Sequence, residues 1–352
     1  MSSVLSTKIP TVSVILSVRN GAPYLKLAID SILEQSFWDF ELIIVDNHSI
    51  DDSPHIVESY DDDRIILTRP EEPLHLAQAL NHAASMARGE FVARMDADDV
   101  SHPSRFEKQV AYLKEHPEVG VLGAQICPID EDGAPITRGQ YNKPESHADI
   151  ACSLFFGCAL WHPTVMLRKS VVDELGWYSS PVIAGREEYS TEDYDLWCRA
   201  IGHTQIHNLA DELLDYRIHA ENHSLASSRR SEHHKNLVLI LQNHLKNSLK
   251  VEATLGLCAS LLGIDRSDAG AEGNQDNAAS HISDLISPVL NMAKDTGVSA
   301  DGMKQLRDNL TTAAETQIWS SGMNIMRECL VLCRADWQIG TKVSWRSIRR
   351  FL

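Results

Sequence analysis

Asp96-Ala97-Asp98-Asp99 places three carboxylates in four residues, directly after the apolar run Phe91-Val92-Ala93-Arg94-Met95. Carboxylates this close repel one another, so such a cluster persists where water or a divalent cation absorbs the charge. The preceding run reads as a buried strand, and Gly89 breaks the helix before it. The acids then stand at the carboxyl end of a strand, the edge where open α/β sheets take up ligands. Oxygen-only ligands select hard cations such as Mg2+ or Mn2+, which also hold phosphates. The chemistry indicated is that of a metal-bound phosphate compound. The competing account is a solvated acidic turn ahead of a helix opening at Pro103. A second acidic group, Thr191-Glu192-Asp193-Tyr194-Asp195, precedes an amphipathic stretch holding Leu196, Trp197 and Ile201. A carboxylate there suits a general base or the N-cap of a helix.

These groups must be positioned by the elements around them. Val12 to Val18 reads as a buried strand, followed by the Asn20-Gly21 turn and by Pro23, which suits a first helical turn. Leu25, Ala28, Ile29, Ile32 and Leu33 then repeat at helical spacing. Phe40 to Val45 is a second strand, ending at Asp46-Asn47-His48-Ser49, with a short helix near Pro54. Arg64 to Thr68 is a third strand, and Leu76 to Ala87 carries the next helical stripe. Phe106, Val110 and Leu113 mark a helix after Pro103, and Val119 to Ala124 a further strand. Strand and helix in this rhythm imply βαβ crossovers and a largely parallel sheet, with the polar ends of the first strands on one edge. Ile129 to Asn142 reads as a hairpin excursion, Pro163 to Leu167 and Leu213 to Ile218 as later strands, and Asp193 to Gly202 as a helix start. After about Leu225 strand patterns give way to helical ones. Residues 265–280 are rich in Gly, Ala, Asn, Asp and Ser and read as a loop. Helices are expected around 282–294, 303–318 and 323–332.

Composition narrows the function. The formal net charge of −17 argues against nucleic acid as a partner, since phosphate backbones need a basic surface. Seven cysteines without C-x-x-C spacing are expected to be free thiols in a reducing cytoplasm. Cys329 and Cys333 share a helix face rather than a metal. No apolar run is long enough to span a bilayer, and no leader pattern precedes the first strand. Residues 337–352 lack acids and carry Lys342, Arg346, Arg349 and Arg350 among Trp337, Trp345 and Phe351. That composition suits peripheral contact with the anionic inner face of a membrane, or a packed terminal helix.

Taken in order, the patterns resemble the family-2 glycosyltransferases of the GT-A fold. The resemblance runs from Thr11 to Ser224. It rests on Ser13-Val14-Ile15 with Arg19-Asn20-Gly21; Ser31 to Phe37; Phe40 to Asp46; Ala79-Leu80-Asn81; Ala87 to Phe91; Met95 to Asp99; Pro103-Ser104-Arg105; His162 to Met166; Glu192 to Trp197; and Tyr216-Arg217-Ile218-His219. It implies an α/β, Rossmann-like domain with a mostly parallel central sheet over 1–224, and a helical region over 225–352. It also implies an inverting transfer of a sugar from a nucleotide-diphospho-sugar to a hydroxyl of a glycan or lipid-linked acceptor, with Mn2+ or Mg2+ as cofactor, in surface polysaccharide assembly.

The resemblance assigns roles as well. Ser17, Arg19, Asp46, Asn47, Asp96 and Asp98 are placed at the donor; Asp98, Asp99 and His219 at the metal; Asp193 as the catalytic base, with Glu192 beside it touching acceptor or sugar. His162 and Trp161 are candidates for the acceptor side, and Trp161, Trp177 and Trp197 for stacking on sugars. The chain departs from the family pattern where Ser17-Val18-Arg19-Asn20 replaces Pro-x-Tyr-Asn, where Asp46-Asn47 replaces an Asp pair, and where His75 replaces a glycine. The departures bear on the nucleobase, for which UDP is expected ahead of dTDP and GDP. A nucleotidyltransferase is the other enzyme class with such a sheet and acids, but it needs a glycine-rich basic loop longer than Arg19-Asn20-Gly21. A sugar-nucleotide-binding subunit without catalysis would not need Asp193.

Overall fold

The computed structural model describes residues 8–137, 142–179, 191–220, 230–262, 264, 288–295, 297–306 and 308–310. The chain opens with β1 (Val12–Val18), α1 (Ala22–Leu33), β2 (Phe40–Asp46), α2 (Ser53–Glu58), β3 (Ile65–Thr68), α3 (Leu76–Met86) and β4 (Phe91–Met95). The register pairs Val18 with Asp46 and Leu16 with Met95, all parallel. The three strand ends therefore reach one edge together. Their apolar residues divide by parity, as strand side chains must. Ile15, Ile43, Val45 and Val92 pack with Ala79, Leu80 and Ala83 of α3 on one face. Val14, Leu16, Leu42, Ile44 and Ala93 pack with Leu25, Ala28 and Ile29 of α1 on the other. Burial on both faces is why these strands read as continuous apolar runs.

The second half of the sheet comprises β5 (Val100–Ser101), α4 (Arg105–Glu115), β6 (Val119–Ile129), α5 (His147–Ser153), β7 (Met166–Arg168), α6 (Lys169–Leu175), α7 (Glu192–Ala200) and β8 (Gln205–Arg217). The eight strands run β3-β2-β1-β4-β7-β6-β8-β5. The sheet is more mixed than the βαβ rhythm suggests, because β7 runs antiparallel to both β4 and β6, and β5 antiparallel to β8. The strand expected from Pro163 begins later, since His162–Thr164 is a 3-10 turn. Reversal has a consequence: the residues before β7 lie beside the carboxyl end of β4, where Arg94 N–H donates to Val165 O at 3.0 Å. β6 and β8 are both longer than their apolar runs, and a hairpin closed by the Ile129–Pro135 bridge follows β6.

Beyond Arg217 the described residues hold no strand. α8 (Arg230–Leu249) and α9 (Leu255–Leu261), with helical residues at 288–295 and 300–306, form a third apolar cluster that includes Cys152 and Phe155. Asp149 of α5 accepts from Ser299 N–H at 3.0 Å, tying this region to the sheet. The expected loop at 265–280, the basic segment from 337, Cys329 and Cys333 lie outside the described residues.

One glycine is dictated by close approach. A Cβ at Gly89 would meet Ser13 N at 2.7 Å and Val12 C at 2.9 Å, both backbone atoms that cannot swing away. Gly89→Ala is expected to destabilise the fold by about 1–3 kcal/mol. The readout is a lower urea midpoint at unchanged m-value.

Candidate active site

The common edge of β1, β2 and β4 gathers the residues singled out by chemistry. Asp96, Asp98 and Asp99 offer carboxylate oxygens that all lie within 4.8 Å of one another. Asp99 is 1% exposed; its Oδ1 accepts from Arg217 N–H at 2.9 Å, and its Oδ2 is buried without a hydrogen-bond partner. Burial, then the charges of Asp96 and Asp98, push the Asp99 carboxyl well above its ordinary range. Burial raises Asp96 to about 6, with Arg94 opposing and Asp98 adding to the rise. His219 Nε2 stands 2.9 Å from Asp98 Oδ2, with its ring 5.2 Å from that of Tyr24. A crowded set of oxygens with one orphaned buried acceptor fits a divalent cation, whose charge would relieve the repulsion.

Arginines absent from the expected site organise it. Arg94, 3% exposed, pairs with Asp96. Arg105 is fully buried and donates through Nη2 to Arg94 O at 2.8 Å. Burial, reinforced by Arg94, lowers its pKa to about 9. Arg217 holds the acidic turn by main chain and side chain at once. Besides the bond to Asp99, its Nε donates to Asp98 O at 2.8 Å and its Nη1 to Asp130 O and Glu131 O at 3.1 Å. The available signal was a charged residue inside an apolar strand, Arg94 between Ala93 and Met95, since a buried charge demands a partner.

At the ends of β1 and β2, Asn20 and His48 adopt φ of 57° and 58°, a left-handed conformation that costs energy for non-glycine residues and clusters at functional sites. Asn20 binds the second loop twice, through its N–H to Ser49 Oγ and its Oδ1 from Ile50 N–H, both at 2.9 Å. Ser17 is half-buried within β1, and Arg19 is exposed just beyond it. Asp46 is buried; Oδ1 accepts from Ser49 N–H at 3.0 Å, and Oδ2 lies 3.4 Å from Arg69. Asn47 has a structural partner. Its Oδ1 accepts from Leu74 N–H at 2.8 Å and its Nδ2 donates to Leu74 O at 2.6 Å. Those bonds tie Asn47 to the segment entering α3 and leave one lone pair and one N–H of its amide for a further partner.

Asp193 lies in the first turn of α7, and the N-cap position belongs to Thr191 instead. Asp193 Oδ1 accepts from Tyr194 N–H at 2.7 Å and Oδ2 from the Cys158 thiol at 3.5 Å. Each carboxylate oxygen retains a lone pair for another proton. Glu192 is 3% exposed, and burial together with Asp193 pushes its acid to about 8, so it is protonated at neutral pH. Its Oε1 is 3.8 Å from His162 Nδ1, and His162 Nε2 meets Tyr178 Oη at 2.9 Å. Burial and Arg94 hold His162 neutral. Trp197 is wholly buried in the core and Trp177 Nε1 donates to Asp173 Oδ1 at 2.9 Å. Trp161, partly buried, has Lys143 4.6 Å from its ring centroid and Tyr216 5.7 Å away.

This arrangement has relatives. The Glycosyl transferase family 2 model matches residues 13–176. The O-antigen biosynthesis glycosyltransferase WbnJ of Escherichia coli is 34% identical over 213 residues, 59% of this chain and 80% of WbnJ. Among solved structures, S. aureus TarS 1-349 in complex with UDP-GlcNAc superposes with a TM-score of 0.58 at 18% identity, over 87% of this chain and 91% of that one. The mannosyltransferase PcManGT from Pyrobaculum calidifontis, in complex with GDP-Man and Mn2+, gives 0.50 at 19% identity, over 90% and 89%. The fold is that of GT-A, and the chain belongs to glycosyl transferase family 2.

Proposed function

We propose that this glycosyltransferase moves a sugar, with inversion, from a nucleoside-diphospho-sugar to an acceptor hydroxyl, with Mn2+ or Mg2+ held by Asp98 and Asp99 and flanked by His219. The observation that carries this reading is the grouping of the Asp96, Asp98 and Asp99 oxygens within 4.8 Å on the edge that also bears Asp46. Bound there, the cation supplies neutralisation of the charge developing on the departing diphosphate. Asp193 takes the acceptor hydroxyl proton while the acceptor oxygen bonds to the anomeric carbon and the bond from that carbon to the diphosphate oxygen breaks. A single displacement of this kind inverts the anomeric centre. Asp96 faces the sugar or ribose, and protonated Glu192 lies beside the base. Residues 1–224 carry donor binding and catalysis, and the described helices from Arg230 onward pack against them. The E. coli relative, named for O-antigen biosynthesis, supports a glycan or lipid-linked acceptor in surface polysaccharide assembly. Among the described residues no helix is long and apolar enough to cross a membrane. Peripheral contact would fall to the basic segment at 337–352.

Asp46 and Asn47 read the nucleobase in part. The Asp46 carboxylate only accepts, which suits the N3–H of uracil with a charge-assisted bond. Thymine presents the same edge. Guanine presents an N1–H and an amino group, which together call on both carboxylate oxygens at once, whereas Oδ1 of Asp46 also accepts from Ser49 N–H and keeps one lone pair. Calorimetric titration with UDP, dTDP and GDP in Mn2+ is expected to rank them in that order. Tightest binding of GDP would overturn the base assignment, and no binding of any of the three would overturn the function.

A further inference from the structure

Arg94 is a charge in a place where the strand otherwise takes apolar residues. Phe91, Val92 and Ala93 before it are wholly buried, and Met95 after it is 1% exposed. A buried guanidinium is costly unless it is paired, and an aliphatic residue would pack this strand without that cost. Arg94 and Asp96 are two residues apart, so their side chains leave the same face. Nη1 pairs with Asp96 Oδ2, while Nε has no partner. The main chain of Arg94 is fixed on both sides, its N–H donating to Val165 O at 3.0 Å and its carbonyl accepting from Arg105 Nη2 at 2.8 Å. The guanidinium is thus anchored below the surface and Asp96, half-buried, stands above it at the ligand edge.

We propose that Arg94 is a positioning residue: it locks the Asp96 carboxylate in one rotamer, ready for a hydroxyl of the donor's sugar or ribose, before any donor arrives. At 3% exposure Arg94 itself does not reach the donor; it acts through Asp96. The inference rests on the reading of Asp96 as a donor contact.

The test is a double-mutant cycle on the full chain, with dissociation constants for UDP, UDP-glucose and UDP-GlcNAc measured by calorimetry in Mn2+. Arg94→Met is expected to weaken the binding of at least one nucleotide sugar about tenfold or more, the scale of a lost charge-assisted hydrogen bond. Arg94→Lys should recover part of the loss, because the charge is kept and the planar fork is not. Asp96→Asn should weaken the same ligand, and the double variant Arg94→Met, Asp96→Asn should bind no worse than the weaker single one, since residues acting as a unit are not additive. A residue that only supports the fold would lower the melting temperature without this coupling. Multiplying losses in the double variant, or unchanged affinity in Arg94→Met, would overturn the proposal. Should Arg94→Met fail to fold by circular dichroism, Arg94→Lys with Asp96→Asn completes the same cycle. If the unaltered chain binds dTDP or GDP in place of these ligands, the same cycle is read with that diphosphate and its sugars; failure to bind any of the three nucleoside diphosphates would instead overturn the donor-site reading, and this inference with it.

Discussion

Asp193→Asn is expected to lower kcat by a factor of about 10² to 10⁴, the usual contribution of a positioned general base. The substitution keeps the shape of the side chain and lets its amide oxygen accept from Tyr194 N–H, while the amide nitrogen faces the Cys158 sulfur, a weak acceptor. It removes the basic lone pair that takes the acceptor proton. Affinity for the nucleoside diphosphate should be unchanged, because Asp193 lies on α7 and the proposed diphosphate site on the turn after β4. Steady-state kinetics and calorimetry on the same preparation separate the two. Near-normal kcat would move the base elsewhere. Glu192 or Asp195 is then next in line, since in this variant Glu192 loses the Asp193 charge that, after burial, raises its acid.

Removal of the cation is expected to abolish turnover, and Mn2+ or Mg2+ to restore it. The double variant Asp98→Asn, Asp99→Asn should stay inactive at any metal concentration that rescues the unaltered chain. It turns two of the three clustered carboxylates into amides with little change of volume, so their crowding is relieved and the site loses its need for a counter-charge. A modest fall in stability is also expected, because the bond from Arg217 N–H loses its charged acceptor. Full activity of this variant after exhaustive chelation would show that the three carboxylates serve another purpose.

Much of this site was legible in the sequence because each part has a local cause. β1, β2 and β4 are buried on both faces, so each appears as an apolar run ending in polar residues, and parallel crossovers oblige those ends to meet. Asp96, Asp98, Asp99, Asp46 and Asp193 announced themselves as acids at element boundaries. The helical stripes of α1, α3 and α4 follow from spacing alone. The structural partner of Asn47 was not legible because it is not local: Leu74 is 27 residues away and pairs with both ends of its amide.

Taken alone, the amino-acid sequence determined the α/β layering, the shared edge and the acidic groups, since periodicity and residue chemistry are properties of short segments. Only the tertiary structure decided the reversed direction of β7, which rests on three residues and a 3-10 turn too short to leave a pattern. That reversal carries His162 and Val165 to the end of β4. The structure alone also showed that Arg94 and Arg217 hold the acidic turn and that Arg105 fixes the main chain of Arg94. The sequence marks Arg94 as a charge within an apolar run, but the partner it finds and the depth at which it sits follow from how distant segments pack.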